Sequence, residues 1–542
     1  MGRAPAAALR LGLSISGKLC WNRKWTLALL ASLVMPCAGP AVAQLRPPYG
    51  VTVPPPAGAP GRSNWVLTPS LQLRETYTDN VFLSPTGLQR SDWITQAIPR
   101  IALTANRPRL RFDGFYAPEI VYHAQTQREE KVFHRGNAVG TLELADQLLF
   151  LEGGARVDQY DVSLQGPLTT SNVNITGNRS TAAATYVSPY LVRNIGSAAR
   201  AEARLTYSRW ESDHNQQALP DNTARRAHLQ LTNGPAYRLL TWDVAYSKET
   251  IKYETQQETT SEELTANGKR RITQTVSLLG LAGYESYHTG PQALAEPRWS
   301  AGFEWASGLR TRLAVTAGQR LNDQSYSFQF DHRTRLSTWN VTYAEDVTTS
   351  RQQFFIPVTQ STASALDQIL VSQFPDPVAR QKAVQDVIAR MGLPPSLGSP
   401  INFFSDQLFL QKRWLASVGL HGTRNTLVGT AFWQLRELVE TTLAPAGDFA
   451  ASQSIRTSGA SAAWGLRLTP RTTWNLQAGY SRSAFLDSGQ VDHFSYLQAG
   501  LTRQFQPRVS GSLSYRLQDK QSTQAGAEYR ENAGVASLLM MF

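Results

Sequence analysis

Eight histidines run from His123 to His493, and none share the spacing of metal ligands. The chain holds no GxSxG elbow, HExxH pair, Walker loop or dinucleotide fingerprint. Asp331-His332-Arg333 sets a carboxylate, an imidazole and a guanidinium side by side, yet it falls at strand positions and reads as ordinary polar side chains. A site assembled from distant strands would leave no such trace. The residues imply no enzyme, no cofactor and no metal.

The more informative polar residues recur at every second position. On the polar faces of their segments lie Arg312, Arg320, Gln329, Asp331, Arg333, Asn340 and Asp346. Further along the chain, Arg467, Asn475, Gln477 and Arg516 occupy equivalent places. Guanidinium and amide groups of this kind can hydrogen-bond the hydroxyls and carboxylates of a passing polymer. Pairing with one another across an interior is the plainer alternative.

The elements that carry these residues are strands with one apolar face. Ser337 to Asp346 sets Trp339, Val341 and Tyr343 against Thr338, Asn340 and Thr342. Thr472 to Ser481 and Arg508 to Gln518 repeat the pattern. Successive side chains of a strand point to opposite faces, so each segment is amphipathic with period two. A soluble sandwich would alternate likewise. Three features favour a transmembrane barrel instead. Only 17% of residues are charged while mean hydropathy is negative, which fits half-polar strands without a spanning helix. Aromatics such as Trp65, Trp93, Trp299 and Trp305 sit near strand ends, where interfacial girdles belong. The chain also stops inside a strand, with Gly534, Ala536, Leu538, Met540 and Phe542 alternating to the terminus. Phe542 is the expected signal for the barrel-assembly machinery.

Tight turns such as Asp146-Gln147 and Thr469-Pro470-Arg471 alternate with longer polar stretches, among them 163–178, 254–268 and 349–403. Short turns belong in the periplasm and long loops outside. Segment counting gives an antiparallel up-and-down β-barrel over 65–542 with 20–22 strands, 22 favoured. Both termini should share the periplasmic side, which requires an even number. The favoured count divides 270–288 into two short strands turning at Leu279-Gly280. Within the 349–403 loop, 364–373 and 376–391 read as helices, the second opened by Asp376-Pro377 and stopped by Gly392. Such an insertion is either a cap packed on outer loops or a plug folded into the lumen.

Residues 1–43 read as an export signal: Lys18, Arg23 and Lys24 precede an apolar run to Met35, and Ala41-Val42-Ala43 sets cleavage before Gln44. Cleavage removes both cysteines, Cys20 and Cys37, with five of the 53 basic residues and none of the 41 acidic ones. Formal net charge falls from +12 to +7. The remaining arginines are dispersed, which argues against nucleic acid as a partner. Pro-rich 44–64 reads as a periplasmic tail.

Several stretches resemble the PEP-CTERM system-associated outer-membrane protein family. They include Glu75-Thr76-Tyr77-Thr78-Asp79-Asn80-Val81-Phe82-Leu83, Arg111-Phe112-Asp113-Gly114, Gly283-Tyr284-Glu285, Tyr343 to Thr349 and Leu410-Gln411-Lys412-Arg413-Trp414. The resemblance implies a Gram-negative outer-membrane barrel, surrounded by lipid and associated with exosortase and exopolysaccharide systems. It implies exopolysaccharide and periplasmic export components as partners, and supplies no catalytic residues. The leading expectation is a channel for extracellular polysaccharide or a related product. A structural barrel whose loops anchor matrix, a general porin and an outer-membrane enzyme are the alternatives.

Overall fold

The computed structural model describes residues 64–126, 131–213, 220–237, 239–254, 257–290, 292–308, 310–355, 405, 407–439 and 447–542, with eight positions between Leu366 and Ile388. The proposed signal, the Pro-rich tail apart from Asn64, and most of 356–404 lie outside these residues.

The described residues are mostly strand. The first group is β1 (Asn64–Thr78), β2 (Asp92–Arg107), β3 (Leu110–Tyr116), β4 (Glu119–His123), β5 (Lys131–Phe133) and β6 (Gly136–Ala145). Then come β7 (Leu149–Asp161), β8 (Arg179–Ile195), β9 (Ala199–Ser212), β10 (Asn222–Asn233), β11 (Leu240–Tyr253) and β12 (Thr259–Arg271). The next are β13 (Val276–Thr289), β14 (Gln292–Ser307), β15 (Thr311–Arg320), β16 (Asp323–Arg333), β17 (Ser337–Thr348) and β18 (Phe409–His421). The last are β19 (Asn425–Leu438), β20 (Ser454–Thr469), β21 (Thr472–Phe485), β22 (Val491–Gln506), β23 (Val509–Ser522) and β24 (Tyr529–Met541). Two short helices, α1 (Ser350–Phe355) and α2 (Asp448–Ala451), stand in the connections.

β3 and β4 both pair with β2, and pair in turn with β6 and β5, so each couple is one interrupted barrel strand. The sheet closes where β24 pairs with β1, from Ser70 opposite Met541 to Thr78 opposite Ala533. The result is a closed antiparallel barrel of 22 strands with no free edge. The even number puts both ends of the barrel chain beside the short turns.

Alternation decides which face meets lipid. Leu73, Leu205, Leu229, Trp299, Phe303, Trp339 and Leu513 are exposed on the outer wall, as hydrocarbon requires. Trp65 and Phe542 mark the short-turn end, while Tyr77 and Trp93 stand against each other, 5.1 Å between ring centroids, at the long-loop end. Closure, apolar wall and aromatic rims make this an outer-membrane barrel.

Two sequence expectations need correction. Residues 276–289 form one strand with no turn at Leu279-Gly280, and the partner strand comes from Thr259–Arg271, in the stretch expected to be a loop. β12 is polar because its upper half, with Glu262 and Glu263, continues beyond the apolar band. Only Leu264, Ala266 and Gly268 alternate on its lipid side. Not every outer connection is long either. β15 turns into β16 through Leu321 and Asn322, both at positive φ (49° and 61°), the conformation of a two-residue hairpin turn.

Candidate functional site: the lumen

Seven of the sequence-selected residues share one inner wall, β15 to β17, where the register brings Arg312 opposite Asp331 and Asp331 opposite Asn340. Asp331 accepts hydrogen bonds from Asn340 (2.7 Å) and Gln329 (2.8 Å). Arg312 donates to Glu304 of β14 through Nε (3.0 Å) and Nη2 (2.6 Å), and Lys269 of β12 binds the same carboxylate. Arg320 donates to Glu285 (3.0 Å) and stands 3.7 Å from Asp346. Arg298 joins Glu285 (2.7 Å) to Glu263 (2.9 Å). Arg333 continues this face at the periplasmic end, opposite Thr338. The wall is wet: the side chains of Arg312 and Asp346 are 49% and 63% exposed. A charge-paired wall of this kind offers donors and acceptors to a hydrophilic solute without a strong field of one sign.

The other four residues lie further round the barrel, on β20, β21 and β23. Asn475 donates to Thr502 (2.9 Å), Gln477 lies opposite Ala463, and Arg467 donates to the Thr423 carbonyl at the periplasmic turn. Arg516 donates to both oxygens of Glu531 (3.0 and 3.2 Å). Glu531 is fully buried and also accepts from Thr78 (2.7 Å), Asn174 (2.7 Å) and Gln518. Asn174 comes from the loop 162–178, so this hub ties a loop to the inner wall.

The same loop forms a lid. Lys520 donates to the carbonyls of Leu164 (3.2 Å), Gln165 (2.7 Å) and Gly166 (2.7 Å), and Tyr529 donates to that of Leu168. The Leu164 N–H and the Ser163 hydroxyl donate to Asp448 of α2, which lies far round the barrel between β19 and β20. Leu164 then packs with Phe409, Phe449, Ile455 and Phe485 in an apolar cluster over the outer end of the lumen. Burial pushes the Asp448 carboxyl up to about 6, against these hydrogen bonds and the attraction of Arg436 and Lys520.

That shift makes the lid pH-sensitive. A folded value of about 6, above the ordinary 3.8, means that the folded lid favours the protonated acid. Its stabilisation is complete below the ordinary value and is lost as pH rises through about 6. The protection of the 162–178 amides, relative to their intrinsic exchange rates at each pH, should therefore fall between pH 4 and 7. Asp448→Asn should flatten the dependence, and an unchanged profile in that variant would refute the assignment.

From the outer end, where Thr348 and Phe409 are register partners, the described part of the 349–408 connection enters the lumen. Arg351 of α1 is fully buried and spans to the wall of β9 to β11. It donates to Ser208 (2.6 Å), Asn222 (2.7 Å) and Glu249 (3.3 Å). The described positions within 364–373 and 376–391 are helical, and Arg380 donates to Asp367 (2.7 Å) between the two stretches. Leu366, Leu370 and Val384 are buried against Val428 and Ala463, with Ala383, Val387 and Ile388 beside them. Val428 and Ala463 are inward-facing register partners near the periplasmic ends of β19 and β20. Of the two possibilities open in sequence, these contacts favour the plug over the outer cap.

Arg351, Asp448, Lys520 and Glu531 escape a local reading because their partners are distant loops. Lys520 continues the inward parity of Arg516 and Gln518, but that parity does not reveal its loop partners.

No protein-family model and no curated protein matches the chain. Among solved structures, it is similar to the siderophore receptor PirA from Acinetobacter baumannii, at 8% identity and a TM-score of 0.46. That match covers 88% of this chain and 80% of that one. The ferric-catecholate import receptor Fiu from E. coli K12 matches at 9% identity and 0.45, over 87% and 81% of the two chains. Acinetobacter baumannii OccAB4 matches at 8% and 0.33, over 89% and 100%. Ligands and mechanism do not transfer at such similarity.

Proposed function

We propose that this barrel is a gated outer-membrane channel through which an extracellular polysaccharide, or a related secreted product, leaves the cell. The observation that carries the reading is a hydrated, charge-paired wall running beside a helical segment seated in the same lumen. A path for a hydrophilic polymer needs the first, and a cell that must not leak needs the second. The resemblance to PEP-CTERM-associated barrels supports the polymer class, with periplasmic export components delivering the chain. Phe542, exposed at the periplasmic rim, would serve the assembly machinery. Matrix anchoring fits less well, because the loop 162–178 and the described residues 447–453 fold over the lumen instead of projecting from it.

Deleting the gene in its native host should deplete surface polysaccharide and raise periplasmic polymer, with both restored by complementation. Normal surface polymer in the deletion strain would overturn the proposal. Polymer shed into the medium without periplasmic retention would point to the anchor.

A further inference from the structure

Between the lid and the plug, the inner wall carries a set of polar groups with no partner among the described residues. Arg413 of β18 stands opposite Gln434 of β19, and Gln434 opposite Thr457 of β20. All three lie on the inward parity shared with Val428 and Ala463. Gln434 and Thr457 are 0% and 1% exposed. Nη1 of Arg413, both polar atoms of the Gln434 amide and the Thr457 hydroxyl are buried without a hydrogen bond. Arg298, Arg320, Arg351 and Arg516 each hold a carboxylate, whereas Arg413 holds none within ion-pair distance. Asp346, one strand away, attracts it only from farther off.

Buried polar groups left unpaired are costly, and three neighbours on adjacent strands would be cheaper as apolar residues. Their chemistry is complementary to one kind of guest. A guanidinium fork suits a carboxylate, an amide both donates to and accepts from a vicinal hydroxyl, and the threonine hydroxyl adds a second such contact. One layer below lie Phe432 and Gly459. A side chain at Gly459 would collide with the Phe432 ring at 2.8 Å, so the ring lies across the glycine beside the cradle, and it is only half-buried. One layer above, Arg436 donates to Gln411 (3.3 Å) and stands 5.7 Å from the centre of the Phe409 ring, beneath the lid cluster.

We infer that Arg413, Gln434 and Thr457 form a subsite for a carboxylate-bearing sugar unit of the exported polymer, with the Phe432 ring against the apolar face of the sugar. This inference rests on the channel reading above and adds that the polymer is acidic. It places a resting point for the chain after the plug and before the lid.

The test is calorimetric binding of trigalacturonate and of neutral maltotriose. Both the purified full chain and the variant lacking 360–395 are used, so that a closed plug cannot mask the site. The acidic trimer should bind at least one of the two proteins and the neutral trimer neither. Arg413→Ala should weaken the acidic trimer by about tenfold or more, the value of a charged hydrogen bond. Gln434→Leu, which keeps the volume, should weaken it less. Heat-modifiable gel mobility checks that each variant is folded. Absence of acidic-trimer binding to both proteins, or equal binding of the two trimers, would overturn the subsite. So would affinity unchanged by Arg413→Ala. Export lost in the deletion strain with no trimer binding would refute the subsite alone. Specific trimer binding with export intact would refute the channel reading instead.

Discussion

Planar bilayers holding the intact chain are expected to stay near baseline, whereas the variant lacking residues 360–395 conducts in steady, discrete steps. Barrels of 16–18 strands already leave an aqueous channel, so 22 strands enclose a large pore unless something fills them. Here the filling comes from the chain's own connection between β17 and β18. The excision removes Leu366, Leu370 and Val384 from their seat on Val428 and Ala463 and leaves the strand ladder intact. Thr348 and Phe409 are already register partners, so the shortened connection still spans the gap. Conductance should rise by on the order of tenfold or more, since an unfilled barrel of this size is a water channel. A silent deletion variant would mean that the lid alone seals the barrel. An intact chain that conducts equally would remove the gate from the mechanism.

The seat is Val428 with Ala463, and the described positions of the segment meet it through apolar side chains. The plug therefore rests on a weak contact compared with the strand ladder around it. A gate that must yield to polymer and reseal needs that difference in strength.

How much of this was legible in the sequence depends on how local each cause is. Trp339, Val341 and Tyr343 announced an outer face because alternation is set by the strand backbone alone. Arg312, Asp331 and Asn340 could be assigned to the opposite face for the same reason, and they do lie together. Thr259–Arg271 failed the test because lipid reaches only part of that strand, and its polar end mimics a loop. The lid and its anchors were invisible. Glu531, Lys520 and Asp448 depend on the route of 162–178 across the barrel, which no periodicity encodes. The Arg413 cradle was hidden differently. Its residues sit on a polar face like any other arginine, glutamine or threonine, and only the absence of partners sets them apart.

Replacing Arg351 by methionine should separate anchoring from filling. The methionine keeps much of the apolar stem but abandons Ser208, Asn222 and Glu249. Glu249 then stays buried without its arginine, beside Gln352 (2.8 Å) and Arg226 (3.9 Å). Breaking a buried ion pair costs about 3–5 kcal/mol, and Arg226 should hold this case to the low end, about 3 kcal/mol. The expected readout is a lower urea midpoint in detergent micelles, with brief openings in bilayers well short of the 360–395 deletion. Adding Glu249→Gln removes the stranded charge, so Arg351→Met/Glu249→Gln should recover much of the stability. The openings should persist in that double variant, because the arginine's ties from α1 to Ser208 of β9 and Asn222 of β10 are still missing. If stability and closure return together, Arg351 only neutralises Glu249. If the barrel is stable but still flickers, the arginine is what holds the entering segment against the wall.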